Sequence, residues 1–335
     1  MTEHALTIAI AGATGALGEQ LLIALEASDL APGRLVPIAS PASVRPHVEF
    51  HGKPVKVVNP DADALESVDV VFAALPAGPA DDLLRDAAEA GCLVIDLAGI
   101  FASNPTVPLV AMGANSVELD AIREAGAVRV PGPVALALVE VGAAAAQLGT
   151  VASLRGVAML PASVAGRKGV DELSAQVTAV FNGRTPPRAV FANGLAFDIL
   201  PSWGPAGRDG WTQGERRVAA DVGRALALDP RRIAVSELVT PLFAGMALEL
   251  NVLFGAPVSA EQLRVALEER SAIALTEGRR LSPRARLGTA GLAIGRLRDD
   301  PGGLGVHLFV SADPTRLSAQ HAVALLQHLI EESLF

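Results

Sequence analysis

Tyrosine is absent from the 335 residues, and Phe and Trp bring the aromatic share to only 4%. Stacking platforms for nucleic-acid bases are therefore not expected. The one cysteine, Cys92, excludes a disulfide framework and a cysteine-based zinc site. No apolar run reaches the roughly 20 residues of a spanning helix. The most apolar stretch, Val134 to Leu148, is broken by Glu140. The start, MTEHALTIAI, lacks a basic region followed by a long apolar core. No signal peptide is expected, and the cytoplasm is the expected compartment. Cationic excess is missing too: 27 Lys and Arg face 36 Asp and Glu, a net charge of −9, and no basic cluster stands out. Nucleic acid and membrane are both set aside as partners. What is present is apolar material. Half the residues are hydrophobic and mean hydropathy is +0.39, which supports large buried cores. At ~150 residues per domain, two domains are expected.

The first part of the chain alternates strand and helix. Leu6 to Ala11, Leu35 to Ala39, Val68 to Ala74 and Leu93 to Asp96 read as buried strands. Glu19 to Ala27 and Asp81 to Ala90 read as helices, and Val48 to Val58 as a hairpin around His51-Gly52. This is the pattern of a Rossmann-like, doubly wound parallel sheet. After Pro131-Gly132-Pro133 the pattern changes. Helices are expected over Ala135 to Leu148, Asp171 to Phe181, Glu215 to Leu228 and Glu261 to Glu269. Strands are expected over Val151 to Met159, Ile233 to Leu238, Ala247 to Phe254, Thr289 to Leu297 and Gly305 to Val310. Residues 182–214 read as a long excursion. An apolar helix, Ser318 to Ile330, closes the chain. The second part is thus an α+β domain with a largely antiparallel sheet. The expected division is 1–131 with the C-terminal helix 315–335 packed back on it, and 132–314.

Between the first strand and first helix stands Gly12-Ala13-Thr14-Gly15-Ala16-Leu17-Gly18. A tight strand-to-helix turn needs residues free of Cβ clashes. The helix start then offers N–H groups to an anionic pyrophosphate. The second strand ends Ile38-Ala39-Ser40-Pro41-Ala42-Ser43-Val44-Arg45, with no carboxylate for ribose hydroxyls. Ser40, Ser43 and Arg45 are placed to face a 2′-phosphate, which favours NADP over NAD.

These residues resemble the aspartate-semialdehyde dehydrogenase family along nearly the whole chain. The family's G-A-T-G-A-V-G loop is matched by Gly12 to Gly18, and its A-S-x-R-S segment loosely by Ala39 to Ser43. Val94-Ile95-Asp96, Phe101-Ala102, Val107 to Val110 and Asn115 match its next segments. Its S-G-A-G-x-x-G and E-L are matched by Ser163 to Gly169 and Glu172-Leu173. Phe197 to Pro201 and Gly210 to Glu215 match two more. The resemblance implies NADP as cofactor, with Gly166 joining the glycine turn at the cofactor, and a homodimer formed by the second domain. Segments such as Ala247 to Phe254 would expose a large apolar face for that dimer.

The family's chemistry runs through a Cys nucleophile that forms a thioacyl enzyme, a His acid–base group, and arginines that grip carboxylate and phosphate. Only a soft thiolate gives a thioester that exchanges readily with phosphate. In the matching segments here, Pro133 (or Val134, one residue on) stands at the Cys, Met246 at the His, Val239 at one Arg and Ala102 at another. Ala42 stands at the arginine of A-S-x-R-S, and Asp313-Pro314 at an Asp-Asn beside the nicotinamide. The chain thus resembles the Usg-type homologues that lack the nucleophile, with NADP held weakly and NAD the other candidate. Cys92 reads as a core residue, Ser163 as a turn hydroxyl and Arg217 as a solvated helix charge. His321 and His328, seven apart on one helix face, suit a surface or interface rather than a metal. On the residues alone, two alternatives stay open. One is an active NADP oxidoreductase on another carbonyl. The other is an interaction protein that senses nucleotide or pairs with a paralogous dehydrogenase.

Overall fold

In a computed structural model, residues 6–30, 32–40, 45–75, 78, 81–115 and 119–334 are described. Ala42 and Ser43 lie outside them. The chain divides into two compact units: Met1–Gly132 with Ser318–Phe335, and Pro133–Leu317.

The first unit contains β1 (Thr7–Ala11), α1 (Ala16–Glu26), β2 (Arg34–Ile38), β3 (His47–Phe50), β4 (Lys53–Lys56), β5 (Val70–Ala73), α2 (Asp81–Glu89), β6 (Leu93–Asp96), α3 (Leu119–Ala125) and β7 (Ala127–Arg129). Five strands form a wholly parallel sheet in the order β2-β1-β5-β6-β7. β5 and β6 are buried at every residue. A parallel sheet covered on both faces calls for such continuous apolar strands. β3 and β4 pair as a hairpin turning at His51-Gly52, both with positive φ, as a two-residue I′ turn requires. α3 and β7 were not anticipated, because three strand residues carry too little periodicity to register.

Two side chains fold the loops after β6. Asp96 is fully buried; its Oδ1 accepts the N–H groups of Ala98, Gly99 and Ile100, and its Oδ2 that of Phe101. Asn115 accepts the Ala111 N–H and donates to the Leu109 carbonyl, both at 2.8 Å. Both residues belong to matched segments, and both act here as scaffold.

The second unit contains α4 (Pro133–Ala146), β8 (Val151–Leu160), α5 (Gly166–Phe181), α6 (Gln213–Leu226), β9 (Ile233–Val239), β10 (Met246–Phe254), α7 (Ala260–Glu268), β11 (Ile273–Leu275), β12 (Leu292–Asp299) and β13 (Gly305–Ala312). α8 (Pro314–Glu331) begins in this unit and from Ser318 onward belongs to the first. The sheet order is β11-β12-β13-β10-β8-β9. The three inner pairings are antiparallel, while β8–β9 and β11–β12 are parallel, so the sheet is mixed. Helices α4, α6 and α7 pack on it. α4 is apolar around nearly its whole circumference and correspondingly buried. β10 corrects one expectation: Met246, Ala247, Leu248, Leu250, Val252 and Phe254 are buried in the core. Its other face carries Glu249, Asn251 and Leu253, so it offers no large exposed apolar surface.

α5 starts five residues earlier than its apolar pattern suggests, at Gly166. Its Glu172 and Gln176, one turn apart, hold the excursion in place. Glu172 accepts the N–H groups of Ala189, Val190 and Phe191 at 2.6–2.8 Å and a bond from the Gln176 amide. Gln176 accepts from Leu195 and Ala196 and donates to the Pro187 carbonyl. Burial alone would raise the Glu172 pKa, but these donors outweigh it and hold it below the usual carboxylate value. Glu172→Ala leaves three backbone donors unpaired at ~1–3 kcal/mol each, not fully additive. Hydrogen exchange over residues 187–196 is expected to accelerate well ahead of global unfolding; unchanged protection there would contradict this role.

Candidate functional site

Gly12 follows β1 directly and has φ +97°. A Cβ on it would stand 2.9 Å from the Ala74 carbonyl oxygen, just beyond β5. A Cβ on Gly18 would stand 2.2 Å from the Gly12 carbonyl oxygen. Gly12 thus serves the tight turn and Gly18 the close approach of α1 to it. Gly15, at the N-cap of α1, and Ala16 are exposed, Thr14 and Leu17 are half-buried, and Ala13 is buried. The Gly12 and Ala13 N–H groups are both bound to the Ile38 carbonyl. The turn therefore lies at the carboxyl end of β1, where chain connections diverge to β2 on one side and β5 on the other. That is the switch point at which open α/β sheets bind ligands. The first turn of α1 has N–H groups without partners inside the helix, suited to an anion.

Near this turn Ser40 is exposed just past β2. Arg45, expected to face a 2′-phosphate, ion-pairs with Glu19 of α1. Ala102 is exposed. Cys92 is buried before β6, and burial, with the Asp69 charge, pushes its thiol up to about 12. The chain's one sulfhydryl is therefore not a thiolate at neutral pH. His321, expected at a surface or interface, is half-buried. Its Nε2 lies 3.3 Å from the Met112 N–H and from the Val110 carbonyl, and burial lowers its pKa to about 4. His328 is exposed.

In the second unit Pro133 is the first residue of α4, the helix position that tolerates a missing N–H. A thiol at a helix start is acidified, whereas a proline ring has nothing to ionise. Val239 and Met246 are fully buried at the ends of β9 and β10. Gly166, with φ +68°, leads into α5 with open space around it. Asp313 caps α8, accepting from Thr315 Oγ1 and the Arg316 N–H, and also takes the Gly288 N–H. Arg217 lies 3.6 Å from the buried Asp221.

Glu237 was missed. Its carboxyl is buried beside Glu215, and burial, then the Glu215 charge, raises its pKa to about 7. Glu215 is committed to the capping box of α6: its Oε2 accepts from Thr212 N–H, and its Oε1 accepts the Glu237 N–H. A signal existed in the sequence. In Ile233–Val239 the inward positions are Ile233, Val235, Glu237 and Val239, so strict alternation places a carboxyl in the core.

A glycine turn at the switch point of a parallel sheet, joined in one chain to a mixed-sheet domain, is the architecture of the two-domain proteins with a dinucleotide-binding fold. Sequence profiles of the semialdehyde dehydrogenase NAD-binding domain and dimerisation domain match residues 7–122 and 142–317. The chain belongs to the semialdehyde dehydrogenase family. It is 32% identical over 273 residues to a USG-1 protein homolog of Azotobacter vinelandii, covering 82% of this chain and 81% of that one. It is 24% identical over 343 residues to aspartate-semialdehyde dehydrogenase of Rickettsia bellii, 98% of each chain. The fold superposes on aspartate-semialdehyde dehydrogenase II of Vibrio cholerae, complexed with ASA, with a TM-score of 0.92 at 26% identity, covering 99% and 100% of the two chains. Among the described residues no helix is long and apolar enough to cross a membrane, and no side-chain group is placed to hold a metal ion.

Proposed function

We propose that this chain is a semialdehyde dehydrogenase homologue that binds NADP through its glycine turn but does not run the thioester-forming dehydrogenation. The observation that carries this is its single cysteine, Cys92, buried with its thiol pushed up to about 12. The segments resembling the reactive ones carry Pro133, Met246, Val239 and Ala102 in place of nucleophile, base and anion clamps. None of these side chains can attack a carbonyl, move a proton or pair with a carboxylate.

The glycine turn fits a pyrophosphate: Gly12 and Gly18 close the turn tightly where a Cβ would strike backbone, and Gly15 and Ala16 are left open at the helix start. A bound nicotinamide dinucleotide supplies hydride-transfer chemistry. Gly12 to Gly18 would hold its pyrophosphate, Ser40 and Ser43 its adenosine ribose, and Gly166 its nicotinamide half. With Pro314 where an amide would help and Pro133 without an N–H, the nicotinamide end is the weaker. NAD, lacking the 2′-phosphate, is the weaker of the two dinucleotides. Calorimetry is expected to give similar affinities for adenosine 2′,5′-bisphosphate and intact NADP. Intact NADP bound at least about a hundredfold tighter would overturn the weak-end reading.

Glu237 favours one alternative. Reduction of another carbonyl needs a hydride and a proton source. Among the described carboxyls, Glu237 alone is resolved as raised toward neutrality. The second domain supports a homodimer, which by light scattering would give about twice 34.3 kDa at micromolar concentration. A particle of 34.3 kDa alone would contradict it. Pairing with a paralogous dehydrogenase would instead require that enzyme to co-elute.

A further inference from the structure

Within a chain of net charge −9, residues 279–286 read Arg-Arg-Leu-Ser-Pro-Arg-Ala-Arg, four arginines and no acid. Total charge concealed this cluster. In the structure it forms two successive 3₁₀ turns, Gly278–Leu281 and Pro283–Arg286. Several arginines elsewhere stand beside carboxylates, among them Arg85 by Asp82, Arg123 by Asp120, Arg264 by Glu261 and Arg298 by Glu249. Arg279, Arg280 and Arg284 are exposed, and none pairs with a carboxylate or makes a side-chain hydrogen bond among the described residues. Arg286 is half-buried; one terminal nitrogen donates to the Ala290 carbonyl, and its Nε is buried without an acceptor.

The turns are rigidly seated. Leu281 is buried and packs where a Cβ on Gly295 would stand 3.0 Å from its Cδ2. Gly245, with φ +84°, brings the β9–β10 loop so near that a Cβ there would lie 2.8 Å from the Pro283 carbonyl oxygen. At the far end the Gly288 N–H is held by Asp313 Oδ2 at 3.0 Å. Four like charges gathered within eight residues repel one another; the flanking acids, Glu277 and Asp313, accept backbone N–H groups of Arg296 and Gly288, and neither is paired with Arg279, Arg280 or Arg284 among the described residues. An anion bound there relieves the repulsion without ordering a loop.

We propose that the Arg279–Arg286 turn is a binding site for a compact oligophosphate carried by a small molecule. Guanidinium groups take phosphate oxygens in forked, charge-assisted pairs. The span also selects for size. The four charges fall within two adjoining short turns, Gly278–Leu281 and Pro283–Arg286, which suits a few linked phosphates rather than a long polyanion. A long nucleic acid would have to lie across the rest of a net-negative surface. Leu242 and Phe243 are exposed on the loop that Gly245 locks to the turn, an apolar neighbour for the ligand's organic part. The site differs from the glycine turn at Gly12–Gly18, which lies in the other unit.

The test is calorimetric titration of inorganic triphosphate into the full chain at low salt. Wild type is expected to bind, and Arg279→Ala/Arg280→Ala/Arg284→Ala to weaken binding at least about tenfold while affinity for adenosine 2′,5′-bisphosphate is unchanged. These side chains are exposed, so the triple variant is expected to fold. The corresponding triple Lys variant, which keeps the charge, should bind between the two. Three results would overturn the proposal. One is no binding by wild type, and another is equal weakening in Lys53→Ala/Lys56→Ala, two exposed cations in the other unit. The third is a ten-nucleotide single-stranded DNA that binds the arginines more tightly than triphosphate does.

Discussion

Arg270→Ala is expected to destabilise the second unit by about 3–5 kcal/mol, among the largest single-site effects in the chain. Glu140 sits on α4, a helix otherwise made of Val, Leu, Ala and Gly after its first proline. Its Oε2 lies 2.5 Å from Arg270 Nε, and both side chains are about nine-tenths buried (12% and 11% exposed). Removing the guanidinium strands a carboxylate against apolar neighbours. Replacing the pair by Glu140→Leu and Arg270→Met is expected to recover most of the loss, because the two desolvation costs disappear together. Urea denaturation of the three proteins checks this. A single variant as stable as wild type would show that the pair contributes nothing.

A comparable effect is expected from Glu237, and it depends on pH. Its folded pKa is raised from 4.5 to about 7, so the folded chain keeps a proton that the unfolded chain releases. The stability linked to that proton is full below pH ~4.5 and is lost as pH rises through about 7. At roughly 1.4 kcal/mol per pH unit, the contribution is about 3 kcal/mol between the two limits. Glu237→Gln removes the titration. The variant's stability relative to wild type should therefore climb by about that amount between pH 4.5 and pH 8. A difference that stays flat with pH would place the Glu237 proton elsewhere.

Much of the fold was legible because burial writes a period into the sequence. Val70–Ala73 and Leu93–Ile95 are continuous apolar runs since these strands are buried on both faces. β10 was legible as a strand and misjudged as a surface. Its alternation points Leu248, Leu250 and Val252 inward, and the face left over holds Glu249 and Asn251. The parallel pairing of β8 with β9 depends on a long connection through α5, the excursion and α6, and no local pattern reports where such a connection returns. The site divides along similar lines. Asp96, Asn115, Glu172 and the glycines of the first turn persist because backbone N–H groups and close approaches depend on them. Val239 and Met246 are packed into the core, where a charged Arg or a protonated His would meet a desolvation cost. Glu237 and the arginine turn were missed for opposite reasons. One acid hides among apolar residues, and four cations hide within an acidic total.

Whether this scaffold still runs its family's reaction is decided by turnover. Purified protein is mixed with aspartate semialdehyde, NADP and phosphate, and NADPH is followed by absorbance. With Cys92 buried and Pro133 at the start of α4, no NADPH should form above a buffer blank. Steady turnover that vanishes in Gly15→Asp, which sets a carboxylate at the pyrophosphate turn, would contradict the account and return the chain to the active dehydrogenases.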